Sequence, residues 1–269
     1  MATNSNGKAS GKSEGPPDWY INSRKKDTST AGTLTFTALR LLDLPWQYYF
    51  LSSTLGPRLL TRIGLMPLRS ATPPSSLALG GSPYHKLIAG LACGTSLSQI
   101  CWVWGVRDNY FPPSGATFVA AYNSLLNTLN SALAIWAVTS QEPPIYGTLL
   151  SSSWAVKFGV PLYLLGLYVE RYSEVQRKAF KAKSVNTGKP YSGGLFSLAR
   201  NINYGGYTLM RTGYALVCGG WVWGAIMGGM VAGDFAFRAI PWLEEYCENR
   251  VCSSHIELYS AYDVADTDA

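Results

Sequence analysis

The chain has 269 residues, only 14% of them Asp, Glu, Lys or Arg, with nine Trp and seventeen Tyr and a formal net charge of +6. A soluble protein of this length carries more charge, so the composition points to one helical membrane bundle. It also leaves no soluble basic fold for nucleic acid. Five scattered cysteines without a Cys-x-x-Cys pair, and only two histidines, argue against a disulfide framework, a zinc site and a multi-histidine centre.

Residues 1–30 are rich in Gly, Ser, Lys and Asn and read as a disordered tail. The tail has no apolar core, so membrane targeting is expected from an internal helix. Residues 32–56 are apolar but hold Arg40, Asp43 and Pro45, with a break or kink expected at Pro45. They read as a kinked span, or as an interfacial helix followed by a short one. The proline-punctuated stretch 57–83 reads as a loop. A span over 84–105 ends in Trp102 and Trp104, which suit the headgroup level.

A third span over 116–138 carries Asn123, Asn127 and Asn130 on one helical face, at i, i+4 and i+7. Two readings fit: interhelical hydrogen bonding, or the polar wall of a cavity. A fourth span, 145–169, contains Lys157 and Pro161. A lysine at that depth is expected to face protein or water. Residues 170–192 are basic, and Asn186-Thr187-Gly188-Lys189-Pro190 reads as a turn. Residues 204–241 are long enough for a helical hairpin, with Gly219-Gly220-Trp221 near its middle. Arg211 and Asp234 are expected to reach the same membrane face as an ion pair or shared site. Gly224, Gly228, Gly229 and Gly233 allow close packing. From Trp242 the tail turns polar and acidic.

The fold expected is all-α and polytopic. It has about six transmembrane helices, a C-terminal helical hairpin and cytosolic cofactor-binding loops. Its parts are a tail over 1–30, N-terminal membrane helices over 31–144, a C-terminal membrane domain over 145–250 and an acidic tail over 251–269. With six spans, the N-terminal tail, the basic 170–192 segment and the C-terminal tail share the cytosolic side, leaving Arg58, Arg62 and Arg69 on the other.

Between the basic segment and the hairpin lies a glycine-flanked polar island, Gly193-Gly194-Leu195-Phe196-Ser197-Leu198-Ala199-Arg200-Asn201-Ile202-Asn203-Tyr204-Gly205-Gly206. By itself it is either a membrane-surface turn into a helix or a binding site at the membrane face. Together with Ser173-Glu174-Val175-Gln176-Arg177-Lys178-Ala179-Phe180-Lys181 ahead of it, the island resembles the C-terminal region of the steroid 5-alpha-reductase-like membrane family. Ergosterol-pathway sterol reductases and isoprenylcysteine carboxyl methyltransferases carry related regions. The likeness covers roughly 145–250 and includes the acidic run Glu244-Glu245 leading to Arg250.

The resemblance implies a cytosolic grip on NADPH and reduction of a carbon–carbon double bond in a sterol-like or other lipid, in the endoplasmic reticulum membrane. It makes Arg177, Lys181, Lys189, Arg200 and Arg250 candidates for holding the cofactor and its phosphates. Gln176, Asn186 and Asn203 would orient its amide and ribose groups. Tyr204 would be the catalytic donor of a hydrogen bond or proton. Two departures stand out: Asn201 replaces the family His, and Tyr207 replaces an acid. They keep open a non-catalytic scaffold of the same fold, while Glu244 and Glu245 followed by Arg250 keep open an S-adenosylmethionine-dependent methyltransferase.

Overall fold

The computed structural model describes residues 29–65, 83–139, 153–187, 189–245 and 247–248. Residues 1–28 of the expected tail over 1–30, the expected tail over 251–269, residues 66–82 of the expected loop over 57–83, residues 140–152 and Arg250 lie outside them.

The described residues are mostly helical. In order come α1 (Thr30–Ser52), α2 (Leu55–Arg62), α3 (Pro83–Gly105), α4 (Pro113–Thr139), α5 (Trp154–Lys181) and α6 (Ile202–Asp234). The helix continues beyond α6 through a π turn at Phe235–Ala239 as far as Glu245. Pro83–Gly105 and Ile202–Glu245 are long and apolar enough to cross a membrane.

The second of these is not one rod. Gly220 has φ 71° and ψ −166°, a conformation open essentially to glycine alone. The chain reverses there, so Gly224 returns against Leu216, and Gly228 against Thr212. The expected hairpin is therefore present, as an outgoing arm (202–219) and a returning arm (221–245). Gly229 has open space around it and plays no part in close packing.

The break expected at Pro45 does not occur. α1 runs through it, capped at its start by the Ser29 hydroxyl, which accepts from the Gly32 amide at 3.3 Å. The short helix over Leu55–Arg62 occupies the beginning of the expected loop and packs on α4.

α5 and the outgoing arm of α6 form the most extensive contact. Small residues recur every seven positions on both: Gly159 and Gly166 on one, Gly206 and Gly213 on the other. A Cβ at Gly166 would lie 2.2 Å from the Met210 nitrogen, and one at Gly213 would lie 2.4 Å from the Tyr163 nitrogen. The backbones thus meet with no side chain between them, which is how helices associate tightly in lipid.

The bundle has a polarity of ends. Tyr84 at the start of α3 donates to the Val217 carbonyl at 2.7 Å, beside the hairpin reversal. At the far end of α3, the Gly105 carbonyl accepts from Lys178 at 2.7 Å. Gly32 of α1 lies against Phe111 at that same end. The start of α1, the basic end of α5 and both termini of the hairpin therefore gather together, and Arg58 and Arg62 lie at the opposite end. Near the reversal the core is apolar, built on Phe50, Ile88, Ile135, Tyr163, Tyr214 and Val217.

Midway along, the core becomes polar. Arg40 and Asp43 of α1 form an ion pair at 3.3 Å with both side chains fully buried. Asp43 also accepts from Gln47 at 3.0 Å, from Ser96 at 3.1 Å and from Asn127 at 2.8 Å. The asparagine face of α4 takes the interhelical role: Asn123 and Asn127 bind Arg211, and Asn130 accepts from the Trp223 indole at 2.7 Å. A buried polar group left without a partner costs about 1–3 kcal/mol, which is why these residues face each other.

Two expectations are corrected here. Arg211 does not pair with Asp234, which is held by Arg238 one turn on, at 2.6 and 2.7 Å. Lys157 is not buried at depth. α5 begins at Trp154, so Lys157 sits in its first turn, exposed, with its ammonium 4.7 Å from the Trp154 ring.

Candidate functional site

The site is built on the part of α5 that extends past the apolar run 145–169. Helix formers and charge pairs carry α5 through this stretch. Glu174 and Arg177 form an i, i+3 ion pair. Arg171 reaches Ser98 on α3 and pairs with Glu170 at 3.0 Å. Beyond Lys181 the chain turns through Ser184–Asn186. There the Asn186 amide donates to the Phe180 carbonyl at 3.0 Å, satisfying one of the orphan acceptors at the helix end.

The following loop is stitched back onto α5 by aromatic contacts. Tyr191 lies 4.9 Å from Phe180 and 5.6 Å from Phe196, ring centre to ring centre. Gly194, at φ 56°, passes over Gln176, whose side-chain oxygen accepts from the Leu195 amide at 3.0 Å. A Cβ at position 194 would lie 2.5 Å from that oxygen. Glycine is thus required by backbone angle and by space.

At the start of α6, Asn201 is the N-cap residue, and its carbonyl accepts from Tyr204 and Gly205. Within the first turn, Asn203 donates to Glu174 Oε1 at 2.7 Å. The other oxygen of Glu174 accepts from Arg177. Glu174 is therefore a buried hub between the two sequence motifs. Tyr204 stacks on Phe235 of the returning arm, 4.5 Å apart and 5° from parallel. Arg200 pairs with Glu244 at 3.1 Å across the hairpin's open end.

The fold thus brings Gln176, Arg177, Arg200, Asn203 and Tyr204 to one end of the bundle. Lys181 and Asn186 lie farther along, where α5 ends, and Lys189 is exposed on the loop. Gln176 and Asn186 have their amides engaged with backbone. Reading the motifs alone missed Glu174 as the hub and Phe235 as the partner of Tyr204. The first had a signal in its spacing to Arg177, whereas the second depended on the hairpin's register. Glu170 lies just beyond the apolar run, packed against the α6 backbone at Gly206 and paired with Arg171.

Chemically, the arrangement offers carboxylates, amides and an aromatic pair around arginines that already hold counter-ions. A set of this kind suits a ligand carrying both charges. Residues 118–263 match the family described as "Protein of unknown function (DUF1295)". The chain belongs to this family. The matched region takes in most of α4, all of α5 and α6, and the whole candidate site. A curated relative, the "Probable O-methyltransferase ustE" of Ustilaginoidea virens, is 32% identical over 249 residues, covering 91% of this chain and 88% of the relative. No solved structure matches.

Proposed function

We propose that this chain is a membrane-embedded O-methyltransferase using S-adenosylmethionine, bound where the extension of α5, the 193–204 island and the returning arm meet. In this reading the helical arms, α1, α3, α4, α5 and the two arms of the hairpin, are six membrane spans. The basic end faces the cytosol, and the endoplasmic reticulum is the membrane that the steroid-reductase resemblance suggests. When bound, the cofactor supplies an electrophilic methyl group on a sulfonium.

The observation that carries the choice is charge pairing. Arg177 is engaged by Glu174, and Arg200 by Glu244. Two of the three arginines expected to hold the cofactor, Arg177 and Arg200, thus already hold carboxylates. A dinucleotide rich in phosphate would meet Glu174 and Glu244 as like charges. A sulfonium amino acid, bearing a cation beside a carboxylate, finds a complement for each. Asn203, Glu174 and Glu244 would serve the ribose hydroxyls and the ammonium, Arg200 the carboxylate, and the Tyr204–Phe235 pair the adenine face. The name of the curated relative supports the same reading over nearly the whole chain.

The test is thermal unfolding of the full chain in detergent with S-adenosylmethionine, S-adenosylhomocysteine, NADPH or NADH. A ligand at 100 times its dissociation constant stabilises by about 2.7 kcal/mol. Both adenosyl compounds should raise Tm, and NADPH should not. A shift with NADPH alone would return the case to a lipid double-bond reductase. No shift in folded protein would favour a scaffold without a cofactor.

A further inference from the structure

Among the described residues, the polar layer midway along the bundle contains the guanidiniums of Arg40 and Arg211 and the carboxylate of Asp43, with Glu170 a charged neighbour of Arg211 that makes no ion pair with it. Asp43 serves Arg40 and is saturated with donors. Arg211 is 1% exposed. Among the described residues its contacts all go to neutral oxygens: Tyr207 at 3.0 Å from Nε, Asn127 at 3.2 Å from Nη1, and Asn123 from Nη2. A buried cation is normally paired, because leaving it unpaired costs far more than a lost hydrogen bond.

The acceptor side is equally unbalanced. The single Oδ1 of Asn123 accepts from Gln99 at 2.7 Å, from the Tyr207 hydroxyl at 3.1 Å and from Arg211. Its orientation is fixed, since Nδ2 donates to the Val119 carbonyl at 2.8 Å. Three donors, one of them cationic, therefore converge on one neutral oxygen. Gln99, 6% exposed, has its own Oε1 buried without a partner. The donors are those of an oxyanion site, and the acceptor is weaker than such a site holds.

The place is connected to the cofactor end. Asn203, Tyr207 and Arg211 follow at four-residue spacing down one face of α6, so Arg211 lies about 12 Å along the axis from Asn203. Tyr207 also touches Phe235 edge-on at 5.8 Å, the same ring that stacks on Tyr204. Asn203 and Tyr207 are both partly exposed.

We propose that Gln99, Asn123, Tyr207 and Arg211 form the acceptor subsite, which takes an acidic oxygen of an amphiphilic substrate, a carboxylate or a phenolate. This rests on the methyltransferase reading for its chemistry. Methylation of the acceptor joins its oxygen to the methyl carbon as the carbon–sulfur bond breaks, the electron pair staying on sulfur. The acceptor's negative charge and the sulfonium's positive charge cancel. Arg211 neutralises and orients the acceptor oxygen, with the Tyr207 hydroxyl as a second donor.

The test uses the full chain in lipid nanodiscs, with thermal unfolding and equilibrium binding as readouts and decanoate, 4-hexylphenol and methyl decanoate as probes. The acid or the phenol should raise Tm, and the neutral ester should not. A response to the acid alone assigns the carboxylate, and a response to the phenol alone assigns the phenolate. Tyr207→Phe keeps the ring against Phe235 and should weaken the responding probe at least fivefold. Asn123→Asp places a carboxylate beside Arg211. It should raise Tm without probe and abolish the probe's effect. An ester that responds like the acid, no response to acid or phenol, or wild-type probe binding in both variants would each overturn the subsite. S-adenosylmethionine is titrated in parallel. Its failure to bind a chain that still binds the acid would remove the methyltransferase reading and leave the anion subsite standing.

Discussion

Two regions of this molecule pair arginine with carboxylate, and the pairs are not equivalent. Arg40 and Asp43 are fully buried midway along the bundle. Arg200 and Glu244 face outward at its end, with side chains 73% and 43% exposed. An exposed pair gains about 0–1 kcal/mol, because water and salt screen it. Breaking a buried pair costs roughly 3–5 kcal/mol, mostly from the charge left behind. The same residue types thus build a fixed strut in one place and an exchangeable contact in the other. Glu174 stands between them: it is buried, but two of its partners, Arg177 and Asn203, lie at the rim.

The largest effect should come from Asp43→Asn. It removes the carboxylate that Arg40 pairs with and leaves that guanidinium buried without a counter-ion. The expected loss is roughly 3–5 kcal/mol, read as loss of monodisperse protein after detergent extraction. The double change Arg40→Met with Asp43→Leu should recover part of it, since no buried charge is then stranded at α1. If Asp43→Asn extracts and melts like wild type, the buried pair is no strut and the contrast fails.

The sequence made the two regions unequally legible. The asparagine ladder on α4 and the reversal at Gly220 follow from local periodicity and glycine, and both are present. Arg40 and Asp43 looked like interruptions of an apolar run, because their partners Ser96, Ser124 and Asn127 lie 53 to 84 residues away. Arg211 and Asp234 seemed matched in sign and level. Asp234, however, has Arg238 at i+4, and a local partner needs no long-range closure. At the rim, the spacing of Glu174 and Arg177 was visible. The donor from Asn203 was not, because it depends on how the glycines of α5 and α6 set the register between the two helices. No local pattern encodes that register.

Glu174→Gln should give the next largest effect. It keeps shape and one acceptor but removes the charge that Arg177 uses. A hydrogen bond to a charged group is worth about 1.5–3 kcal/mol, so a Tm fall of a few degrees is expected. Binding of S-adenosylmethionine, measured by calorimetry, should weaken about tenfold. If Tm falls while binding holds, Glu174 belongs with the strut and not with the exchangeable rim.

The smallest effect on stability, and the sharpest on ligand, belongs to Arg200→Ala. Its pair with Glu244 is exposed, so Tm should move by no more than the equivalent of about 1 kcal/mol. If Arg200 exchanges Glu244 for a ligand carboxylate, binding of S-adenosylmethionine should fall about tenfold or more, the worth of a charged hydrogen bond in affinity. Glu244→Gln separates the alternatives. It frees Arg200 without removing it, so a carboxylate-bearing ligand should still bind, whereas a ligand that uses Glu244 for its ammonium should weaken. Both variants weakening at unchanged Tm would mark the pair as two arms of one cofactor contact. Neither weakening would confine Arg200 and Glu244 to tying the hairpin's open end, and would place the cofactor deeper, at Glu174 and Asn203.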